Sequence, residues 1–229
     1  MSIKENIQRT RARIARVCEK TGRDPDEIEI VAVSKTVGVP QILEAVEWGI
    51  MQIGENRVQE AWRKYQAIGS RVRWHMIGHL QTNKVKRVLQ FANLIQSVDS
   101  THLAQELQNQ AEKNQQDVEI LIEVNTSAEP TKFGYKPKNV LEAVAEIAQL
   151  PRVKIRGLMT VGAFLPDPEA VRPCFRLLRK LRDEISAKHI PQVEMRYLSM
   201  GMTDDFEVAV EEGSNMVRIG RAIFGARVV

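Results

Sequence analysis

Cysteine is nearly absent from this chain: Cys18 and Cys174 are its two thiols, far apart and in no CxxC or CxxH spacing. They make neither a disulfide framework nor a zinc site alone, and are expected to be packed or partly exposed thiols in a reducing compartment. Aromatic residues amount to 5%, and the 33 basic and 29 acidic side chains are spread along the length. A nucleic-acid groove wants a clustered basic stripe with interleaved aromatics, so no nucleic-acid partner is expected. Long hydrophobic runs are missing too; stretches such as 30–33 fall far short of a membrane span. Residues 1–20 are studded with charge and hold no apolar signal core, which points to a cytoplasmic protein. Histidine numbers 4. His75 and His79 stand four apart, but Gly78 intervenes and no carboxylate falls between them in the HExxH manner. No metal site is expected, and His75 reads as a hydrogen-bonded core residue.

What is present is ordinary for a soluble globular chain, 43% hydrophobic and 27% charged, which excludes disorder. Short β-branched runs alternate with helical periodicity. An opening helix is expected over 2–20, stopped by Gly22. Strands are expected over 29–35, 51–53, 73–77, 94–98, 118–124, 153–159, 196–200 and 216–219. Helical patterns fall between them, among them 58–65, 103–114, 139–150, 168–188 and 204–211, the last with Thr203 as its cap. Such βα units, with no linker dividing them, close into a single α/β domain over 1–229, a (β/α)8 TIM barrel with an extra N-terminal helix. An open doubly wound sheet usually carries a glycine-rich loop after its first strand, where this chain has Ser34-Lys35-Thr36.

In a parallel barrel the strand C-termini face the site. Several strands here end in polar residues: Lys35, Glu55, Asn56, His79, Asp99, Asn125, Thr160, Ser199 and Arg218. Lys35 follows a buried-type run directly, where an ammonium is costly unless an anion or covalent partner takes it; the bland reading is a lysine reaching back to solvent. Ser199-Met200-Gly201 after the seventh strand and Arg218-Ile219-Gly220-Arg221 at the eighth sit where barrels bind phosphate. Glycine there lets a ligand approach backbone amides, or merely makes a turn. The polar run 105–116 reads as a solvated helix face.

Eight blocks carry a resemblance: 32–35 (AVSK), 54–60 (GENRVQE), 74–84 (WHMIGHLQTNK), 97–100 (SVDS), 132–134 (KFG), 157–160 (GLMT), 198–202 (LSMGM) and 217–225 (VRIGRAIFG). Together, in this order, the chain resembles the pyridoxal 5′-phosphate (PLP) homeostasis proteins. The resemblance implies a barrel of the alanine racemase N-terminal type (PLP fold type III), with Lys35 forming a Schiff base with PLP. It places Ser199, Gly201, Gly220 and Arg221 at the phosphate, mostly through backbone N–H groups, Arg218 at the pyridine nitrogen, and Asn56 along the cofactor. Many relatives have a hydroxyl residue where Arg221 stands, so one phosphate donor is in doubt. A guanidinium cannot accept a proton, which leaves the ring nitrogen unprotonated and weakens the ring as an electron sink.

Three classes stay open: a protein that buffers or delivers PLP without strong turnover, a PLP-dependent racemase or related enzyme, and a barrel for another small phosphate with Lys35 as an electrostatic anchor. Racemases of this type add a β-domain that supplies an opposing tyrosine, for which the chain has no room before Val229. Among Tyr65, Tyr135 and Tyr197 none is an obvious second base. The expectation is therefore the homeostasis protein, not an enzyme. Its expected partners are PLP and PLP-dependent apo-enzymes, with no membrane, and its expected state is a monomer.

Overall fold

Parallel strands need a crossover long enough for a helix, and each strand of this chain is followed by one or by a helical turn. The computed structural model describes residues 2–225, so Met1 and 226–229 of the expected domain lie outside the described residues. The strands are β1 (Glu29–Val33), β2 (Gln52–Glu55), β3 (Arg73–Met76), β4 (Leu94–Val98), β5 (Val118–Glu123), β6 (Val153–Met159), β7 (Val193–Ser199) and β8 (Met216–Ile219). They pair in chain order into a closed barrel, β8 returning parallel to β1 with Val31 opposite Arg218. The helices are α1 (Ile3–Thr21), α2 (Val39–Glu47), α3 (Val58–Ile68), α4 (Val85–Val88), α5 (Thr101–Lys113), α6 (Val140–Ile147), α7 (Arg172–Ser186), α8 (Phe206–Glu211) and α9 (Arg221–Phe224).

The expected barrel is thus present, with small shifts that have local causes. β7 starts at Val193, ahead of the expected Arg196. α8 starts at Phe206 because Asp205 turns its carboxylate back onto the Met202 amide (2.6 Å); Thr203 is not its cap. α1 begins with a capping box, Ser2 Oγ accepting from the Glu5 amide (3.2 Å) and Glu5 Oε2 from the Ser2 amide (2.9 Å). It lies across α2, α8 and α9, its Arg13 paired with Glu207 at 2.8 Å.

Strand period sorts the interior. Val31, Leu94, Leu121, Met159, Tyr197 and Met216 meet as a separate apolar cluster. Two residues further along their strands stand Gln96, Glu123, Ser199 and Arg218, so the lumen turns polar toward the C-terminal rim. A larger apolar cluster fills the space between sheet and helices, with Ile42, Leu107, Val144, Phe175 and Leu178 fully buried. Each such side chain contributes about 1.5–3 kcal/mol by its removal from water. Gly157 marks the bulge between β6 and β7: its φ of +150° and the Tyr197 carbonyl pressed against it leave no place for a Cβ.

Candidate functional site

Lys35 sits one residue past β1 and Ser34, half-buried at the C-terminal rim. Among the described residues no carboxylate or other acceptor takes its ammonium. The next residue, Thr36, has φ +65°, rare for a β-branched side chain. Its hydroxyl donates to the Lys35 carbonyl (2.6 Å) and its amide to Glu60 Oε1 (2.7 Å). Beneath this turn lies a buried ion cluster. Lys64 donates its three protons to the Ser34 carbonyl (2.5 Å), Glu55 Oε1 (2.6 Å) and Glu60 Oε1 (2.7 Å). Ser34 Oγ also donates to Glu55 Oε1 (2.5 Å). Burial pushes the Glu55 carboxyl up from its ordinary value against the pull of Lys64 and Ser34, and its Oε2 has no partner. For Glu60 burial acts the same way, but the bonds from Lys64 and the Thr36 amide outweigh it and hold the group low. Asn56 follows β2 on the neighbouring stretch of rim, with Gly78 so close that a Cβ would lie 2.5 Å from the Asn56 carbonyl.

Across the β1–β8 seam are the two loops expected to hold a phosphate. Gly201 has φ +93°, and a Cβ there would lie 2.9 Å from Phe206 Cα. Its carbonyl accepts from the Arg218 amide (3.0 Å), tying the β7 loop to β8. The amides of Gly201 and Arg221 have no acceptor among the described residues. Gly220 adjoins the Lys35 strand: a Cβ on it would stand 3.5 Å from the Val33 carbonyl oxygen. The Arg221 guanidinium pairs with Asp204, so its charge is met within the loops.

Arg218 is 4% exposed and held at two points, Nη1 donating to Ser199 Oγ (2.6 Å) and Nη2 to the Thr160 carbonyl (2.7 Å). Burial pulls it down to about 10, opposed by Glu123 and Asp205, so it stays a cation at neutral pH. Ser199 is fully buried and its hydroxyl proton goes to Gln96 Oε1 (2.7 Å). Its carbonyl is taken as well, accepting from the Thr160 amide (3.1 Å), so Ser199 is tied into the barrel through both side chain and backbone. Glu123, 7% exposed, takes no hydrogen bond on its carboxyl from the described residues. Burial and then the nearby Asp99 push it up to about 7, with Arg218 opposing. Asp99 Oδ2 accepts from His79 Nδ1 (2.7 Å), whose ring stacks on Phe133 at 3.9 Å.

The structure thus brings Lys35, Asn56, Ser199, Gly201, Arg218, Gly220 and Arg221 onto one rim. The sequence reading missed Lys64, Gln96 and Glu123. Gln96 carried a signal, a polar residue inside the run LIQSV in phase with Leu94. Lys64 carried none, because a lysine in an amphipathic helix reads as solvated.

The family model "Alanine racemase, N-terminal domain" matches residues 3–228. A pyridoxal phosphate homeostasis protein of Aquifex aeolicus is 45% identical over 99% of both chains. The structure of PipY from Synechococcus elongatus with PLP bound superposes with a TM-score of 0.86 at 30% identity, covering 98% of this chain and 100% of that one. An alanine racemase of Clostridium difficile, 15% identical with a TM-score of 0.73, shares the fold over 100% of this chain and 56% of its own. By full-length identity and by fold, the chain belongs to the pyridoxal phosphate homeostasis proteins of the alanine racemase N-terminal domain family.

Proposed function

We propose that this chain binds PLP at the C-terminal rim, with Lys35 Nζ as the group that bonds the cofactor's aldehyde carbon, and serves cellular PLP supply without strong turnover of amino acids. The observation that carries the reading is the unclaimed Lys35 ammonium on the same rim as the Gly201 and Arg221 amides, which also have no acceptor among the described residues. When bound, PLP supplies a carbonyl that condenses reversibly with an amine and a ring able to draw electrons. The chain's own groups then have distinct tasks. Lys35 is held at the rim by the Thr36 turn and the Lys64 cluster. The amides at 201 and 221 donate to the phosphate, the glycines at 201 and 220 letting it approach. Asn56 lines the cofactor's side. Arg218, fixed as a donor, faces the ring nitrogen and withholds a proton from it, so carbanion formation is poorly supported.

No helix among the described residues is long and apolar enough to cross a membrane. On this reading the barrel acts as one PLP-binding domain and a monomer in the cytoplasm, with apo-enzymes as recipients. The test is borohydride reduction of the PLP-loaded protein followed by peptide mapping. The expected result is a phosphopyridoxyl mass on Lys35, its loss in Lys35→Ala, and no measurable racemisation of amino acids. An adduct on another lysine overturns the assignment, and rapid turnover overturns the non-enzymatic role.

A further inference from the structure

Six side chains from six strands form one hydrogen-bonded line through the barrel lumen. Arg218 Nη1 reaches Ser199 Oγ (2.6 Å), Ser199 reaches Gln96 Oε1 (2.7 Å), and Gln96 Nε2 meets His75 Nδ1 (2.8 Å). His75 Nε2 then meets Gln52 Oε1 (2.6 Å), and Gln52 Nε2 reaches Glu29 Oε2 (2.7 Å) near the opposite end of the barrel. Gln96, Ser199, His75 and Arg218 are each under 5% exposed, at 0%, 0%, 2% and 4%.

The ends decide the direction. A guanidinium only donates and a carboxylate only accepts, so every link between them must run from Arg218 toward Glu29. Ser199 then accepts from Arg218 and gives its proton to Gln96. The Gln96 amide gives to Nδ1 of a neutral His75, which carries its proton on Nε2 and gives it to Gln52. Imidazolium does not fit, because its Nδ1 proton would face the Gln96 amide protons. Consistently, burial pulls the His75 ring down to about 3, with Arg73 adding to the effect. Reversing any one group would set donor against donor or acceptor against acceptor elsewhere in the line.

We propose that this one-way relay is the positioning device for Arg218, with Gln96 and His75 as its central members: it turns the Ser199 hydroxyl away from the ligand and fixes the guanidinium as a donor at the rim. The inference rests on the PLP reading for what Arg218 faces, while the relay itself is a property of the cofactor-free chain. Gln96 is the hinge of the device because its two amide atoms serve opposite sides, and its Nε2 also contacts Met216 Sδ (3.2 Å).

Nitrogen-15 NMR of histidine-labelled protein without PLP tests the relay, the His75 resonance being assigned from its loss in His75→Asn. The expected spectrum is a neutral Nε2–H tautomer that does not titrate across neutral pH; an Nδ1–H tautomer or an ordinary titration overturns the line. The positioning role is tested by PLP release from Gln96→Leu, followed by absorbance with a trapping apo-enzyme. Release is expected to quicken about tenfold, the equivalent of one buried hydrogen bond, with a shifted absorption maximum. Gln96→Glu keeps the acceptor for Ser199, so it should restore release close to the parent rate while moving the His75 titration upward. Should Gln96→Leu fail to fold, Ser199→Ala breaks the link next to Arg218 and should quicken release likewise. Parent-like release and absorption in the folded variant overturn the role. Parent protein that takes up no PLP overturns the PLP reading and the role together, whereas the tautomer spectrum still decides the relay.

Discussion

The two sides of the rim are held by opposite kinds of chemistry. Under Lys35 the support is ionic: Lys64, Glu55 and Glu60 are packed together with one oxygen of Glu55 unpartnered. Under Arg218 it is a line of neutral amides, a hydroxyl and an imidazole, charged only at its ends. A buried ion cluster costs desolvation and fails badly when one member is removed. A neutral line costs less, gives direction, and loses one hydrogen bond at a time. The side that presents Lys35 is thus rigid through charge, and the side that presents Arg218 is rigid through orientation.

The largest break in this contrast should come from Lys64→Met. It leaves Glu55 buried without a counter-charge, and removing one partner of a buried pair costs about 3–5 kcal/mol. Denaturant unfolding measures the loss, and PLP retention should fall with it because the Lys35 turn loses its brace. Adding Glu55→Gln to the same protein should recover a good part of the stability, since the stranded charge goes. A loss below about 1 kcal/mol, typical of an exposed pair, would put the cluster among surface ion pairs.

Glu123 belongs to neither support, and it sharpens the comparison through pH. Its pKa rises from an ordinary 4.5 to about 7 on folding, so between those values the folded protein holds a proton that the unfolded chain has released. The resulting preference for the folded state is complete below pH 4.5 and is lost as pH rises through about 7. Glu123→Gln stays neutral throughout. It should match the parent below pH 4.5 and exceed it above pH 7 by at most about 3 kcal/mol, read from thermal or denaturant unfolding of the PLP-free protein at each pH. A constant difference across that range would mean the carboxyl is ionised normally.

Gly201→Ala tests the loop proposed to hold the phosphate, between the two supports. A Cβ there meets Phe206 and Ala209 at a φ that side chains rarely adopt, so about 1–3 kcal/mol of stability should go. Weaker binding of inorganic phosphate, measured by calorimetry, should accompany it.

How much of this could be read from the chain depends on how local each feature is. Lys35 showed itself because a short β-branched run ended in a lysine, and the glycines at 201 and 220 because each followed a strand. Barrel closure followed from repeated βα units. The relay was beyond reach as a whole: it joins residues from Glu29 to Arg218, and only closure brings six strands around one lumen. Its parts were partly visible, His75 as a core residue and Gln96 by its phase with Leu94. The Lys64 cluster was invisible because burial of a helix lysine depends on the Glu55 strand end beneath it. The start of α8 moved by two residues because Asp205 bonds backward to Met202 instead of entering the helix.

The smallest effect tests whether the Lys35 side carries strain for its function. Thr36 holds φ +65°, where a β-branched residue is destabilised and glycine is at ease. Thr36→Gly should relieve that strain, partly offset by the lost hydroxyl bond to the Lys35 carbonyl and by the freer unfolded chain. The net gain should be no more than about 1 kcal/mol, seen as a slightly higher Tm. PLP retention should move the other way, because the same glycine loosens the turn that aims Lys35. A rise in both would show that Thr36 is strained to no purpose and that the ionic brace alone places the amine.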